Sequence, residues 1–173
     1  MLVREAHFEV RGFPWPLYAL WDEKGYLLKL SFGKERPSLK GLERHLGRLR
    51  LFKAKKGQIL DLQALLEAYF LKRTQVLHYP LRVIGSPFEI SVWQKLKEIP
   101  YGEVRTYGWL ACQIARPKAA RAVGQALGKN PLPLFIPCHR IVAVKGLGGY
   151  AGGLKVKEFL LSLEGTSLPE PRQ

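Results

Sequence analysis

The sequence predicts an α+β protein in two parts. A small α/β domain with an antiparallel hairpin sheet plus helices covers residues 1–80, and a mainly helical domain with a helix-turn-helix covers residues 81–173. Three observations carry this division. Apolar runs on either side of Asp22-Glu23-Lys24-Gly25 read as a hairpin that turns at glycine. Apolar residues recur at helical spacing over 39–51 and 61–72. From Ser86 onward helical periodicity dominates, and two short helical stretches meet at a tight break, Arg116-Pro117.

In chain order, residues 7–10 add a strand to the hairpin strands 17–20 and 26–32. The spacing then predicts helices over 39–51 and 61–72, the second with Asp61 as its N-cap. Ser86-Pro87-Phe88-Glu89 is a sharp helix start: a capping serine, proline at the first helical position, and glutamate three residues after the cap. Phe88, Val92, Leu96 and Ile99 mark the buried stripe of that helix. Helices over 106–115 and 118–127 follow.

On the helix over 118–127, Ala119, Ala122, Val123 and Ala126 fall on one face and are expected in the core. Lys118, Arg121 and Gln125 lie opposite, near Gly124 and Gly128. Such a face is by default an ordinary solvated one. The alternative is that small residues beside Arg121 let the backbone approach a DNA groove closely. The apolar run 134–137 leads into Cys138-His139-Arg140. The glycine-rich stretch 146–153 lacks the Lys-Ser/Thr ending of a P-loop and reads as a mobile or close-packed wall. A last helix over 154–164 ends at Gly165, with a frayed tail over 166–173.

Composition narrows the partners. Twenty-eight basic residues against 14 acidic give a net charge of +14, which favours polyanions through long-range attraction and counterion release. Nucleic acid leads, and an anionic membrane surface is the rival. Charges occupy the start of the chain where a signal peptide needs an apolar run, and no stretch reaches the length of a membrane span. The expectation is a cytoplasmic protein, or a nuclear one if the source is eukaryotic, without a membrane partner. The two cysteines, Cys112 and Cys138, are expected free, with Cys112 in the core. Neither lies in a CxxC or CxxH cluster, and His7, His45 and His78 fit no ligand spacing, so no metal is expected.

A cysteine in an apolar stretch is by default a small buried hydrophobe. Cys138 stands out through its neighbours, because a thiolate needs cationic or basic surroundings and His139 and Arg140 adjoin it. Successive side chains of an extended segment point apart, so His139 is expected to reach the sulfur through a turn or one bridging water. Glu164 is a second clue. It continues the apolar face of Val156, Phe159, Leu160 and Leu163 at a helix C-terminus, where both burial and the helix dipole disfavour a negative charge. Either it frays into solvent or it orients His139 in a carboxylate, imidazole, thiol relay. Asn130 is by default a turn residue, and Tyr107 and Tyr150 are packing aromatics.

The segment Pro137-Cys138-His139-Arg140-Ile141-Val142 closely resembles the acceptor-cysteine motif of the O6-alkylguanine-DNA alkyltransferases, the methylated-DNA–protein-cysteine methyltransferases. Tyr101-Gly102-Glu103-Val104, Thr106-Tyr107, Pro117 to Gly124, Asn130-Pro131, Tyr150 and Gly152 to Gly165 follow in family order, so the resemblance covers about residues 86–165. It implies a small α/β domain followed by a winged-helix-like helix-turn-helix domain. It also implies a one-shot transfer in double-stranded DNA, from O6 of an alkylguanine, or less readily O4 of thymine, to Cys138. No cofactor is implied, and the protein is expected to act as a monomer.

By the same resemblance, His139 acts through water as base, Glu164 orients it, and Asn130 organises the cysteine loop. Arg121 enters the base stack while Tyr107 helps rotate the damaged nucleotide outward. Lys118, Ala122, Gln125 and Arg140 join them on DNA, and the flipped base is bound by Tyr107 and Tyr150 and by the backbone around Cys138, Ile141 and Ala151. Flipping is needed because the reacting atom is inaccessible inside a duplex. Ala151 stands where one branch of the family has serine, and the zinc-binding cysteines of animal members are missing. A damage sensor of the same architecture, a thiol hydrolase using Cys138, His139 and Glu164, and a plain DNA-binding module are the competing readings.

Overall fold

The computed structural model describes residues 1–166; apart from Thr166, the tail expected over 166–173 lies outside the described residues. The fold class is α+β, in two compact units, Met1–Gly85 and the chain from Ser86 onward.

The first unit is a four-stranded sheet of order β3-β2-β1-β4 with two helices. Strands β2 (Leu17–Asp22) and β3 (Leu27–Phe32) form the expected hairpin, and the Asp22 carboxylate accepts hydrogen bonds from the Lys24 and Tyr26 amides at 2.9 Å, closing the turn. The N-terminal strand β1 is longer and earlier than expected, Leu2–Phe8, and pairs antiparallel with β2.

The helix expected over 39–51 is instead α1 (Lys40–Leu46) followed by strand β4 (Arg50–Lys53). Gly47, at φ 75°, stops the helix, and β4 runs parallel to β1 with Leu51 beside Val3 in the core. Leu49 kept helical spacing with Leu42 and Leu46, which concealed the change to strand alternation. Helix α2 spans Lys56–Phe70, and Gln58 Oε1 accepts from the Lys55 amide at 3.1 Å. Asp61 therefore sits inside the helix and caps nothing. Residues 80–82 stay with this sheet, because the Leu27 amide donates to Pro80 O at 2.8 Å and the Arg82 amide to Leu27 O at 3.0 Å.

The second unit opens with α3 (Pro87–Leu96), whose start has the expected reciprocal cap. Ser86 Oγ accepts from the Glu89 amide at 3.2 Å, and Glu89 Oε2 from the Ser86 amide at 2.9 Å. Val92, Trp93, Leu96 and Ile99 are buried, and the Trp93 indole donates to Ala126 O at 2.9 Å, tying α3 to the helix-turn-helix. Strand β5 (Arg105–Thr106) leads into α4 (Tyr107–Gln113), capped by Thr106 Oγ1, which accepts from the Trp109 amide. Ala115, at φ 57°, makes the break one residue before the expected Arg116-Pro117.

Helix α5 (Ala120–Gly128) buries Val123, Ala126 and Leu127, with Ala119 and Ala122 half-buried and Lys118, Arg121 and Gln125 exposed. Cys112, expected in the core, is exposed, because α4 packs through Leu110 and Ala111 instead. A 3-10 turn (Cys138–Arg140) precedes β6 (Ile141–Val142), which pairs parallel with β5. A narrow turn closed between Ala143 and Gly146 follows, and α6 (Leu154–Leu163) is the last element of the described residues. No helix of the described residues is long and apolar enough to cross a membrane.

Candidate active site

The Asn130 side chain ties down the loop before Cys138, together with a backbone bond from the Ile136 amide to Leu132 O at 2.9 Å. Asn130 Nδ2 donates to Ile136 O at 2.8 Å, and its Oδ1 accepts from the Leu132 amide at 3.0 Å. Between these anchors Leu134 adopts φ 74°, a left-handed conformation that costs a non-glycine residue roughly 1–3 kcal/mol and persists only where the surroundings over-determine it. Asn130 and that backbone bond supply the constraint, and the chain emerges into the 3-10 turn with the Cys138 amide bonded to Ile136 O at 2.8 Å.

Cys138 is buried, with 8% of its surface exposed. It lines a cavity of about 160 Å3 together with Tyr107, Gly124, Leu127, Gly128, Gly149, Tyr150 and Ala151. The cavity is well below the ~300–1,000 Å3 typical of drug-sized ligand sites. Its wall is close-packed at Gly148, whose φ of 72° suits glycine and whose Cβ, if present, would stand 2.7 Å from the Tyr107 hydroxyl. That hydroxyl accepts from the Gly149 amide at 3.2 Å.

Behind the cysteine lies a buried polar network. Glu164 Oε1 accepts from His139 Nε2 at 2.9 Å and from an Arg140 terminal nitrogen at 2.7 Å. Its Oε2 accepts from Arg140 Nε at 2.9 Å and from the Gly102 amide at 3.3 Å. The other Arg140 terminal nitrogen donates to Ile99 O at 2.8 Å. Gly102 has to be glycine on two counts: its φ is 81°, and a Cβ would press to 3.0 Å from Glu164 O.

A carboxylate can only accept, so the proton on His139 belongs on Nε2 and Nδ1 is left as a lone pair. Nδ1 is buried, with no hydrogen-bond partner among the described residues. Burial pulls the imidazole pKa below its ordinary value; Glu164 pushes the other way, and the Arg140 and Lys157 charges oppose it again. His139 is thus neutral and carries a free base lone pair.

The thiol is in the opposite condition. Burial raises the Cys138 pKa, and the Asn130 side chain, the Lys157 charge and Tyr150 only partly offset this. The resting sulfur is a protonated thiol that needs a base to react.

Lys157 is the residue the sequence reading missed. It is fully buried, donating from Nζ to Ile141 O at 2.6 Å and to Gly149 O at 3.0 Å. It joins β6 to the glycine-rich wall, and burial lowers its pKa to about 8. Helix α6 buries Val156, Lys157, Leu160 and Leu161, a face one step round from the expected one, with Phe159 and Leu163 only half-buried. A lysine is by default an outward residue, and only its place between Val156 and Leu160 hinted otherwise.

Two expected placements are corrected. Arg140, expected on the DNA side, is 8% exposed and its guanidinium is spent on Glu164 and Ile99, because the buried carboxylate needs a permanent cation. Ile141, expected at the base pocket, does not line the cavity. Its side chain is buried, its amide closes the 3-10 turn on Cys138 O, and its carbonyl is held by Lys157. Among the described residues no group of three His, Cys, Asp or Glu side chains is arranged to hold a metal.

The chain is similar to proteins of one family along most of its length. Residues 87–166 match the family described as 6-O-methylguanine DNA methyltransferase, DNA binding domain. A methylated-DNA–protein-cysteine methyltransferase of Methanosarcina acetivorans is 53% identical over 102 residues, 58% of this chain and 65% of that protein. The chain thus spans just under two thirds of the length of the Methanosarcina relatives it matches. The Salmonella typhimurium protein of the same name is 40% identical over 156 residues, covering 87% of this chain and 90% of its own. Among solved structures, a Mycobacterium tuberculosis relative in complex with DNA superposes with a TM-score of 0.73 at 34% identity, covering 95% of this chain and 92% of that one. The O6-methylguanine-DNA methyltransferase of Pyrococcus kodakaraensis gives 0.62 at 28% identity, covering 95% and 99%.

Proposed function

The chain belongs to the methylated-DNA–protein-cysteine methyltransferase family, and from that premise we propose that it repairs duplex DNA by moving an alkyl group from O6 of guanine, and less readily from O4 of thymine, irreversibly onto Cys138. The observation that carries the proposal is a buried thiol lining a cavity of about 160 Å3, backed by a neutral histidine whose free nitrogen is its base lone pair.

His139 Nδ1 takes the thiol proton, through one bridging water. The imidazolium so formed is stabilised by Glu164, which Arg140 holds in place. The sulfur attacks the alkyl carbon, the S–C bond forms as the C–O6 bond breaks, and the electron pair remains on guanine. One proton leaves the thiol and one is required to restore neutral guanine, so the step balances without a cofactor. Nothing cleaves the thioether, and each molecule acts once.

Helix α5 and the residue Lys118 just before it dock on DNA, with Lys118 and Gln125 on the exposed side and the half-buried Ala122 at its edge, Arg121 fills the gap in the base stack, and the extruded base enters between Tyr107, Tyr150 and Ala151. Tyr107 helps the rotation. One chain carries every group the step needs, so the protein acts as a monomer, inside the cell with its substrate.

The test is to mix the protein with a duplex oligonucleotide carrying O6-methylguanine and weigh the intact protein. One added methyl, mapped to Cys138 and absent in Cys138→Ala, is expected. Product beyond one equivalent would mark a hydrolase, and unrepaired DNA with unchanged protein mass would mark a sensor or a plain binding module. Either outcome overturns the proposal.

A further inference from the structure

The densest run of charge along the chain belongs to the N-terminal unit. Between Lys40 and Lys56 the chain holds seven lysines and arginines against a single acid, Glu43. All seven are exposed. The Glu43 carboxylate is turned inward, accepting from the Leu49 amide at 3.2 Å, and among the described residues none of the seven makes an ion pair. Other cations of the molecule do: Arg36 pairs with Glu5, Lys95 with Glu98 and Lys129 with Glu89.

The topology gathers these charges along one rim. Strand β4 is the outermost of the sheet, with β1 on one side and no strand on the other. Leu51 faces the core beside Val3, so Arg50 and Phe52 face the opposite way. Arg4 stands opposite Phe52 in register and donates to Lys53 O at 3.1 Å. Phe52 is 46% exposed, on the same face of the sheet as Arg4 and Arg50. Arg44 lies in the last turn of α1, and Lys55 and Lys56 open α2, whose first turn has no acidic residue. Cations at a helix N-terminus add to the dipole's positive end instead of compensating it, so the arrangement costs the free protein stability and is relieved by an anion.

Charges on an edge strand can also serve only to prevent strand-to-strand association. That role calls for cations on the strand itself, whereas here they continue onto the helices before and after it. We propose that the β4 rim binds the phosphate backbone of duplex DNA as a second, sequence-independent contact, in addition to that of the helix-turn-helix. This rests on the reading that DNA is the partner. The repeating negative charge of a duplex matches an extended row of unpaired cations, and an exposed ring among them has sugar surface to cover.

Two full-length triple variants with the same change in net charge test this: Arg50→Gln/Lys53→Gln/Lys55→Gln on the rim, and Lys24→Gln/Lys34→Gln/Lys72→Gln elsewhere on the same unit. Fluorescence anisotropy with an undamaged duplex is measured from low to moderate salt. Each lost phosphate contact removes ~0.9 from the slope of log affinity against log salt, so the rim variant should lose about 2–3 units of slope and the control almost none. Both should retain the wild-type rate with free O6-benzylguanine, which reports that the second unit is intact.

Equal slopes in the two variants, or a rim variant that binds like wild type, would overturn the proposal. A rim variant that self-associates in sedimentation with an unchanged DNA slope would assign the charges to edge protection alone, and loss of binding only to phosphatidylserine vesicles would assign them to a membrane surface. If the wild type binds DNA with the expected slopes but acquires no methyl group, the repair reading fails and this one stands.

Discussion

Substituting Glu164 by glutamine changes one atom and tests the whole network behind Cys138. The carboxylate accepts four donors: His139 Nε2, two nitrogens of Arg140 and the Gly102 amide. A glutamine offers one acceptor and one donor. If its NH2 replaces Oε2, it faces Arg140 Nε–H and Gly102 N–H; if it replaces Oε1, it faces His139 Nε2–H and the other Arg140 nitrogen. Two donors then oppose a donor in either orientation, and the buried guanidinium loses its counter-charge.

Removing one partner of a buried ion pair costs ~3–5 kcal/mol. For a chain of 150–250 residues, at about 2–4 °C per kcal/mol, this is a fall in Tm of roughly 6–20 °C. The imidazole can accept from the new amide only by moving its proton to Nδ1, which removes the base lone pair. Transfer should therefore fall even where the protein remains folded. Circular dichroism melts and single-turnover transfer to an O6-methylguanine duplex measure the two effects. Arg140→Met with Glu164→Leu should recover only part of the stability, since the buried charges are removed together while His139 Nε2, the Gly102 amide and Ile99 O lose their partners, and recover none of the transfer. A Glu164→Gln melt within about 3 °C of wild type would refute the reasoning.

Other expectations follow from the same geometry. Arg121→Ala should slow repair of duplex at least tenfold while leaving attack on free O6-benzylguanine nearly unchanged, and equal losses would contradict the flipping role. Iodoacetamide should label the exposed Cys112 before the buried Cys138, as peptide mass mapping after brief exposure would show; first labelling at Cys138 would mean an accessible thiolate. Lys157→Met should move the Cys138 reaction to higher pH, because a cation that lowers the thiol pKa is lost; an unmoved pH profile would leave Lys157 only as a staple between β6 and the wall. The folded pKa of His139 lies below its unfolded value of 6.5, so the unfolded state binds the proton first as pH falls. Its contribution to stability should be complete above pH 6.5 and be lost as pH falls from there through the folded value, and His139→Gln should flatten that part of a stability-against-pH curve.

Local chemistry was legible along the chain. Ser86, Pro87 and Glu89 set a helix start within four residues, and the hairpin at Gly25 needed only its turn and flanking alternation. Cys138, His139 and Asn130 lie close together in sequence, and Glu164 betrayed itself as a charge on an apolar helix face. These features depend on neighbours a few residues away, so the sequence by itself determined them.

What the tertiary structure decided is which face of each element is covered. Arg140 looks outward in sequence and turns inward because Glu164, 24 residues later, is buried beside it. Lys157 is buried by the loop that folds over it, Cys112 is exposed because Leu110 and Ala111 take the packed side, and residues 50–53 become a strand because β1 offers an edge with Val3 beside Leu51. A lone charge or thiol has no intrinsic side. Its environment is set by contacts between distant segments, and those exist only once the chain has folded.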